Sequence, residues 1–197
     1  MKSIERYQEF YTPEEVAISV AKLSKKLKSK EHIRILEPTC GQGNLLRELI
    51  KIRSEIPDIG TTYDMCEIQP ESRDILERFY VKKDPYQFNL MEEPDFLQYI
   101  PSEPYDLIIM NPPFHLKKQL TGYDRDYWDI DFIQRAYDML KIGGEIIAVV
   151  SLNLSHGKSK YKKWIDKYVQ VIQEYENYKW DPYKKNPKLK VSKEKKK

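Results

Sequence analysis

The stretch IRILEPTCGQGNLLRELI, residues 33–50, decides the fold, because it reads as a strand, a tight turn and a helix in immediate succession. The apolar run IRILE predicts a buried strand, and NLLRELIKIRSEI predicts a helix by the spacing of its apolar residues. Gly41 and Gly43 bracket the turn between them, where a backbone without side chains can approach a ligand closely. This stretch predicts the opening unit of an α/β fold.

The same alternation continues along the chain. Further strands are predicted at TTYDMCEI, near PYQFNL, and at YDLIIMN, GGEIIAVVSL and QVIQEYENYKW. Helices are predicted at TPEEVAISVAKLSKKLK, PESRDILERFY, YWDIDFIQRAYDMLK and KYKKWIDKYV, and Thr12 is expected to cap the first of them. Alternating strands and helices indicate a doubly wound, mostly parallel sheet with helices on both faces. Ligands bind such sheets beyond the carboxyl ends of the strands, so we interpret the strand ends as one site.

Composition excludes several classes of protein. The chain has 197 residues, a hydrophobic content of 40%, two cysteines and three histidines. Neither a disulfide framework nor a metal site is expected from so few ligands. The apolar runs are too short to cross a bilayer, and the start lacks the core of a signal peptide. We therefore expect an intracellular protein, in the cytoplasm, nucleoid or nucleus, with no membrane partner.

The last residues differ from the body of the chain in charge. Residues 184–197 hold eight lysines and one glutamate, a charge of +7 in a chain whose formal net charge is +3. A segment of this composition is expected to stay disordered and to make loose contacts with phosphates. The predicted organisation is one folded domain at residues 1–180, followed by a lysine-rich, disordered tail at residues 181–197.

Acidic side chains follow the first two strands. Glu37 precedes the glycine turn, where a carboxylate suits an amino group better than a pyrophosphate. Leu46 stands where a dinucleotide site needs a small residue, which disfavours a dehydrogenase. Glu67 ends the second strand and can accept two hydrogen bonds from a ribose diol, with Ile68 beside it for an adenine face.

Asp95 and Phe96 lie where the third strand is expected to end. Asp95 is a candidate acceptor for the amine of an adenine, with Phe96 lining the same pocket. An aspartate that only caps a turn is the alternative.

An asparagine and two prolines stop the fourth strand, in the run MNPPF at residues 110–114. Pro112 forces Asn111 into an extended conformation, which holds its amide rigidly at the edge of the sheet. The side-chain oxygen of Asn111 and the carbonyl of Pro112 provide two acceptors, and Phe114 offers a flat ring. This arrangement suits a planar group that bears an NH2.

Together these motifs resemble the S-adenosylmethionine-dependent amino-methyltransferases, most closely the adenine-N6 type, over roughly residues 7–155. NPPF resembles the catalytic tetrad, LEPTCGQG the cofactor loop, CEIQPE the ribose-binding acid, PDFL the adenine-binding acid, and EFYTPEEVA the N-terminal motif at the methionine end of the cofactor. The resemblance implies a class I, Rossmann-like methyltransferase domain, no separate recognition domain, and S-adenosyl-L-methionine as cofactor.

The resemblance also implies a role for each matched residue. The residues implied to bind the cofactor, from its methionine end to its adenine, are Tyr11, Thr12, Glu37, Gly41, Gly43, Glu67, Ile68, Asp95 and Phe96. Those implied to act on the target are Asn111 and Pro112, which hold its amine, and Phe114, which stacks on its ring.

The target itself stays open among several amines. The N-terminal motif and the order of motifs favour adenine N6 in DNA, and guanine N2 in ribosomal RNA is the runner-up because NPPFH resembles that class too. Cytosine N4, a protein glutamine and a non-catalytic cofactor-binding subunit are further alternatives. DNA enzymes of this type usually carry a recognition domain, so a separate recognition subunit is an expected partner. The loop HLKKQLTGYDRDYWD, residues 115–129, is a candidate for limited contact with nucleic acid.

Overall fold

A computed structural model describes residues 11–56, 60–113, 128–151, 162–175 and 189–195. Its helices are α1 (Glu14–Lys22), α2 (Asn44–Ser54), α3 (Pro70–Leu76), α4 (Trp128–Asp138) and α5 (Lys162–Tyr168). A 3-10 turn, Lys26–Lys28, follows α1, and a π-helical turn, Glu77–Val81, extends α3. The strands are β1 (Ile33–Glu37), β2 (Thr61–Met65), β3 (Phe88–Leu90), β4 (Tyr105–Met110), β5 (Leu140–Ser151), β6 (Val169–Tyr175) and β7 (Leu189–Lys195).

These strands form one sheet in the order β3-β2-β1-β4-β5-β7-β6. The first five pair in parallel, and β7 runs antiparallel to both β5 and β6. The order reverses between β1 and β4, so the loops after these two strands diverge and leave a crevice at their carboxyl ends. The predicted doubly wound, mostly parallel sheet is confirmed.

Helices cover both faces of the sheet. On one face, apolar residues of α1 and α2 pack against alternate residues of the strands, such as Ile35 and Leu107. On the other face, α4 packs against the intervening residues, such as Leu36 and Ile108. Because successive side chains of a strand point to opposite faces, strands covered on both sides must be apolar throughout, as YDLIIM is.

The prediction of a disordered tail is wrong for Leu189–Lys195. These residues form β7, which pairs with β5 in a register that places Val191 opposite Val149 and Leu189 opposite Ser151. The prediction of disorder rests on the lysine content. It misses a short alternation in LKVSK, where the apolar residues Leu189 and Val191 are two positions apart, as in a strand. Pairing on both sides satisfies the backbone of β7, so the folded domain extends beyond residue 180.

The capping role expected for Thr12 is also wrong. Pro13 is the N-cap of α1, and no side chain donates or accepts a hydrogen bond there. In the described residues, no helix is long and apolar enough to span a membrane, and no group of three or more histidines, cysteines or acids is placed to hold a metal ion.

Candidate cofactor and acceptor site

The predicted site residues converge on one edge of the sheet. The backbone amide of Cys66, just after β2, donates to the carbonyl of Glu37 at 3.1 Å, and the amide of Cys40 donates to the carbonyl of Cys66 at 3.1 Å. These bonds continue the pairing of β1 and β2 beyond the last strand residues. The glycine turn after β1 and the acidic segment after β2 are thereby held side by side.

Both glycines of the turn are required by their backbone. Gly41 has φ of 54° and Gly43 has φ of 82°, a region that other residues rarely adopt. A Cβ at Gly43 would also lie 2.8 Å from the hydroxyl of Tyr80, whereas one at Gly41 would lie 3.4 Å from the ring of Tyr11. The turn can therefore pass closely beneath these two rings only because positions 41 and 43 lack side chains.

Glu67 is fixed by backbone amides from two segments. One carboxylate oxygen accepts from the amide of Gly41 at 2.6 Å, and the other accepts from the amide of Gln69 at 2.8 Å. Glu67 is 7% exposed, while its neighbour Ile68 is 47% exposed. The acid is thus held in place beside an exposed apolar surface, as a site for a ribose and its base requires.

Glu37 lies beneath the glycine turn and is almost fully buried. The thiol of Cys40 donates to its carboxylate at 3.4 Å. Burial raises the pKa of the Glu37 carboxyl well above its usual range, and the nearby charge of Glu67 adds to this, although the Cys40 thiol and the amide of Leu46 oppose it. A positively charged group near the turn would therefore favour release of the proton from Glu37.

The two cysteines are unreactive in this environment. Burial raises the pKa of the Cys40 thiol well above its usual range, and the charge of Glu37 raises it further. Burial raises the pKa of the Cys66 thiol as well. Both groups stay protonated near neutral pH, which excludes them as thiolate nucleophiles.

Asn111 is tied to the N-terminal motif across the crevice. Its side-chain amide donates to the hydroxyl of Thr12 at 3.2 Å, over a separation of 99 residues. Thr12 is buried, and its carbonyl accepts from the side chain of Asn44 at 2.9 Å. Pro112, which follows Asn111, is also buried. The end of β4, the start of α1 and the start of α2 are thus joined at one point.

Tyr11 covers the glycine turn from the same segment. Its hydroxyl accepts from the side chain of Gln42 at 3.1 Å, and its ring is the nearest group to a Cβ placed at Gly41. The structure therefore brings Tyr11 to the glycine turn and Thr12 to Asn111. Contact of either residue with the methionine end of the cofactor stays a prediction.

Asp95 and Phe96 lie in the segment after β3. One carboxylate oxygen of Asp95 accepts from the amide of Leu97 at 3.0 Å, which makes Asp95 a cap of its own turn. Phe96 is 2% exposed, and its ring centroid lies 5.3 Å from that of Phe132. Contact of either residue with an adenine stays a prediction.

Arg73 is a residue that the motif analysis missed. Its guanidinium donates to the carbonyl of Glu67 at 3.1 Å and to the carbonyl of Met91 at 2.9 Å. It thereby braces the segment after β2 against the segment after β3. Arg73 follows CEIQPE on α3, but no local pattern in the sequence indicates that its guanidinium reaches both carbonyls.

Phe114 lies outside the described residues, as does most of the loop at 115–129. The proposed stacking of Phe114 on a target ring therefore remains a prediction.

The strand order with an antiparallel β7 and the glycine turn after β1 define a class I methyltransferase fold. The chain belongs to the methyltransferase small domain family, whose model matches residues 6–180. The cofactor of this class of enzyme is S-adenosylmethionine. Among curated proteins, none matches this sequence.

Solved structures share the fold at low sequence identity. A Listeria monocytogenes protein assigned to the class I S-adenosylmethionine-dependent methyltransferases matches with a TM-score of 0.71 and 18% identity, over 99% of this chain and 62% of that one. A Pyrococcus horikoshii protein assigned as an RNA methyltransferase matches with a TM-score of 0.66 and 17% identity, over 100% and 91%. A type I restriction-modification methyltransferase subunit from Streptococcus thermophilus matches with a TM-score of 0.69 and 18% identity, over 95% and 45%.

The residues at the strand ends fit that cofactor. Gly41 and Gly43 leave backbone without side chains at the crevice, and Glu67 presents a fixed carboxylate next to the exposed Ile68. Glu37 places a second acid beneath the turn. This set matches a ligand with a cationic end, a ribose and an apolar base.

Proposed function

We propose that the protein transfers a methyl group from S-adenosylmethionine to the exocyclic amine of a nucleobase. The observation that carries the proposal is the bond between Asn111 and Thr12, because it holds the amide of Asn111 at the crevice. An ordinary strand-ending loop has no need of such a tether.

The cofactor would be held along the ends of β1, β2 and β3. Glu37 would face its amino group, Glu67 its ribose and Ile68 one face of its adenine. Asp95 and Phe96 would close the adenine end, with Arg73 keeping their segment at a fixed distance from Glu67. Tyr11 and Thr12 would close the methionine end.

S-adenosylmethionine supplies a methyl group on a sulfonium, which a neutral amine can attack directly. Asn111 and the carbonyl of Pro112 accept the two hydrogens of the target amine. These bonds favour a tetrahedral nitrogen and localise its lone pair, which otherwise spreads into the ring. Positioning and preorganised acceptors are the main contributions of the protein, and no strong base is required because the amine loses its proton after it becomes cationic.

Adenine N6 in DNA is the amine that we favour. The support is the N-terminal motif, which the structure brings to Asn111 through Thr12. Two neighbours, from Vibrio vulnificus and Streptococcus thermophilus, are described as modification or methyltransferase subunits of type I restriction systems. This chain spans 44% and 45% of the length of those chains.

Guanine N2 in RNA is a second candidate, because two neighbours are described as RNA or rRNA methylating proteins. The P. horikoshii protein and an rRNA methylase from Streptococcus thermophilus are covered to 91% and 99% of their lengths. Proteins of this size therefore include ones described as acting on RNA without a large additional domain.

The deciding experiment uses labelled S-adenosylmethionine with separated DNA, RNA and protein pools. Label in DNA, followed by mass spectrometry showing N6-methyl-2′-deoxyadenosine, is the expected result, and Asn111→Ala should abolish most of it. Label as N2-methylguanosine would move the assignment to the second candidate. Label in protein alone, or in no pool despite bound cofactor, would overturn methylation of a nucleobase.

A further inference from the structure

A lysine-rich segment lies at the end of the sheet opposite the cofactor edge. Residues 22–30, KLSKKLKSK, contain five lysines and no acidic residue, and they precede the first residue of β1. Four of these lysines, Lys22, Lys25, Lys28 and Lys30, are exposed. Nothing in the cofactor or acceptor chemistry uses them.

A buried acid fixes the start of this segment. One carboxylate oxygen of Glu145, which is 2% exposed on β5, accepts from the hydroxyl of Ser24 at 3.0 Å. The same oxygen accepts from the backbone amides of Lys25 at 3.0 Å and Lys26 at 3.1 Å. The hydroxyl of Ser24 in turn accepts from the amide of Leu27. The first turn after α1 is thus held from beneath by a single carboxylate.

A buried cation fixes the end of the segment. The guanidinium of Arg53 donates to the carbonyls of Leu27 at 3.3 Å, Ser29 at 2.6 Å and Glu31 at 3.2 Å. These carbonyls point inward to Arg53. The buried charges of Glu145 and Arg53 are opposite in sign and offset each other. The net charge of the surface above them therefore comes from the lysines.

The end of β7 joins the same region. Lys195 pairs with Glu145, and Lys193 pairs with Ile147, in the register of β5 and β7. Two basic segments that are far apart in the sequence therefore meet at Glu145. Glu31 follows the first segment and Glu194 lies between Lys193 and Lys195, so most of the positive charge comes from the five lysines of residues 22–30.

We propose, on the basis of the proposed function, that the segment 22–30 is a fixed platform for the phosphate backbone of the nucleic acid whose base enters the site. The backbone of this segment is already held by two buried charges, so it loses little conformational entropy on binding. A disordered lysine tail would lose more. β1 spans about 13 Å between the platform and the cofactor edge at roughly 3.3 Å per residue. A strand at about 3.4 Å per nucleotide follows the surface rather than the buried β1, so the platform would contact the substrate at least about four nucleotides from its target.

The test compares two variants that lose the same charge. The platform variant replaces Lys25, Lys28 and Lys30 by glutamine. The control variant replaces the exposed residues Arg78, Lys82 and Lys83 by glutamine. The probes are a 24-base-pair duplex DNA and a 24-nucleotide RNA hairpin, titrated between 50 and 200 mM salt. Calorimetry of S-adenosylmethionine binding and the melting temperature verify that both variants are folded.

The platform variant should lose about tenfold or more in affinity for at least one probe at 50 mM salt. Its salt slope should become shallower by about two to three, the value for three lost phosphate contacts. The control variant should change affinity by less than about threefold. Equal losses in both variants, or none in either, would overturn the platform. If methylation of nucleic acid is found while the platform variant binds both probes normally, the platform fails and the proposed function stands.

Discussion

The cofactor half and the acceptor half of the site are built in different ways. Around Glu67, the contacts come from backbone amides of the adjoining turns, Gly41 and Gln69. Around Asn111, the contact comes from the side chain of Thr12, 99 residues away. The contacts of Glu67 therefore form whenever β1 and β2 pair, whereas the contact of Asn111 also requires the N-terminal segment in place. We expect mutations in the two halves to separate binding of the cofactor from turnover.

The largest effect is expected for Asn111→Ala. Turnover should fall by about 10²–10³, the loss found when one preorganised polar group is removed from a transition state. S-adenosylmethionine affinity, measured by calorimetry, should barely change, because the proposed partner of Asn111 is the target amine and not the cofactor. Asn89→Ala is a matched control, since Asn89 donates to Asp64 within the sheet and should affect stability alone. Wild-type turnover in Asn111→Ala would refute the mechanism.

Glu67→Ala should have the opposite effect, in which cofactor affinity and not turnover is the quantity that chiefly changes. Cofactor binding should weaken by about 1.5–3 kcal/mol, the scale for a hydrogen bond to a charged group. The amide of Gly41 also loses its acceptor, so the melting temperature should fall as well. Glu71→Ala removes an exposed acid in the first turn of α3 and should leave calorimetric affinity unchanged. Equal affinity in both variants would remove Glu67 from the ribose.

Glu37 should make the cofactor half sensitive to pH. Its pKa in the folded protein is raised above that of the unfolded chain, so between these values the folded state holds an extra proton. The free energy of unfolding should therefore fall as pH rises above the usual glutamate range. Affinity for the cationic cofactor should rise in the same window, by at most about tenfold per pH unit, since one pKa unit is about 1.36 kcal/mol.

Glu37→Gln tests this linkage directly. Both the affinity profile and the stability profile should flatten across that window, measured by calorimetry and thermal unfolding in matched buffers. Profiles in Glu37→Gln with the slope of the unmodified protein would assign the pH dependence to other groups.

The smallest effect is expected for Thr12→Val, which removes the tether of Asn111 but keeps the shape of the side chain. One hydrogen bond of about 0.5–1.5 kcal/mol corresponds to a roughly two- to tenfold loss of turnover. Thr12→Ser should retain most of the activity because the hydroxyl remains. If both variants lose cofactor affinity instead of turnover, Thr12 serves the methionine end and not Asn111.

The cofactor half was predictable from the sequence to a large extent. The glycine turn and the acids after β1 and β2 follow strands whose apolar runs are plain in the sequence. Carboxyl ends of parallel strands meet at one edge, so their placement followed from topology. Arg73 was not predictable, because only the packing of α3 shows that its guanidinium reaches the carbonyls after both β2 and β3.

What the sequence determined by itself is local. The strands, the turns that need glycine and the abrupt stop at Asn111 follow from backbone sterics and from the periodicity of apolar residues. The tertiary structure alone decided where the hydroxyl of Thr12 points. The hydroxyl of Thr12 could serve either a capping box or a tether to Asn111. Only the packing of Asn111, 99 positions away in the sequence, decides between these two contacts.

The tertiary structure also decided the conformation of the two lysine-rich segments, residues 22–30 and 189–195. The spacing of apolar residues predicts a helix through Lys28 for the first segment, and composition predicts disorder for the C-terminal one. Glu145 and Arg53 instead fix residues 24–31 from below, and β5 and β6 pair with Leu189–Lys195 on both sides. Partners this distant in the chain leave no local pattern in the sequence, because their contacts exist only after the sheet has formed.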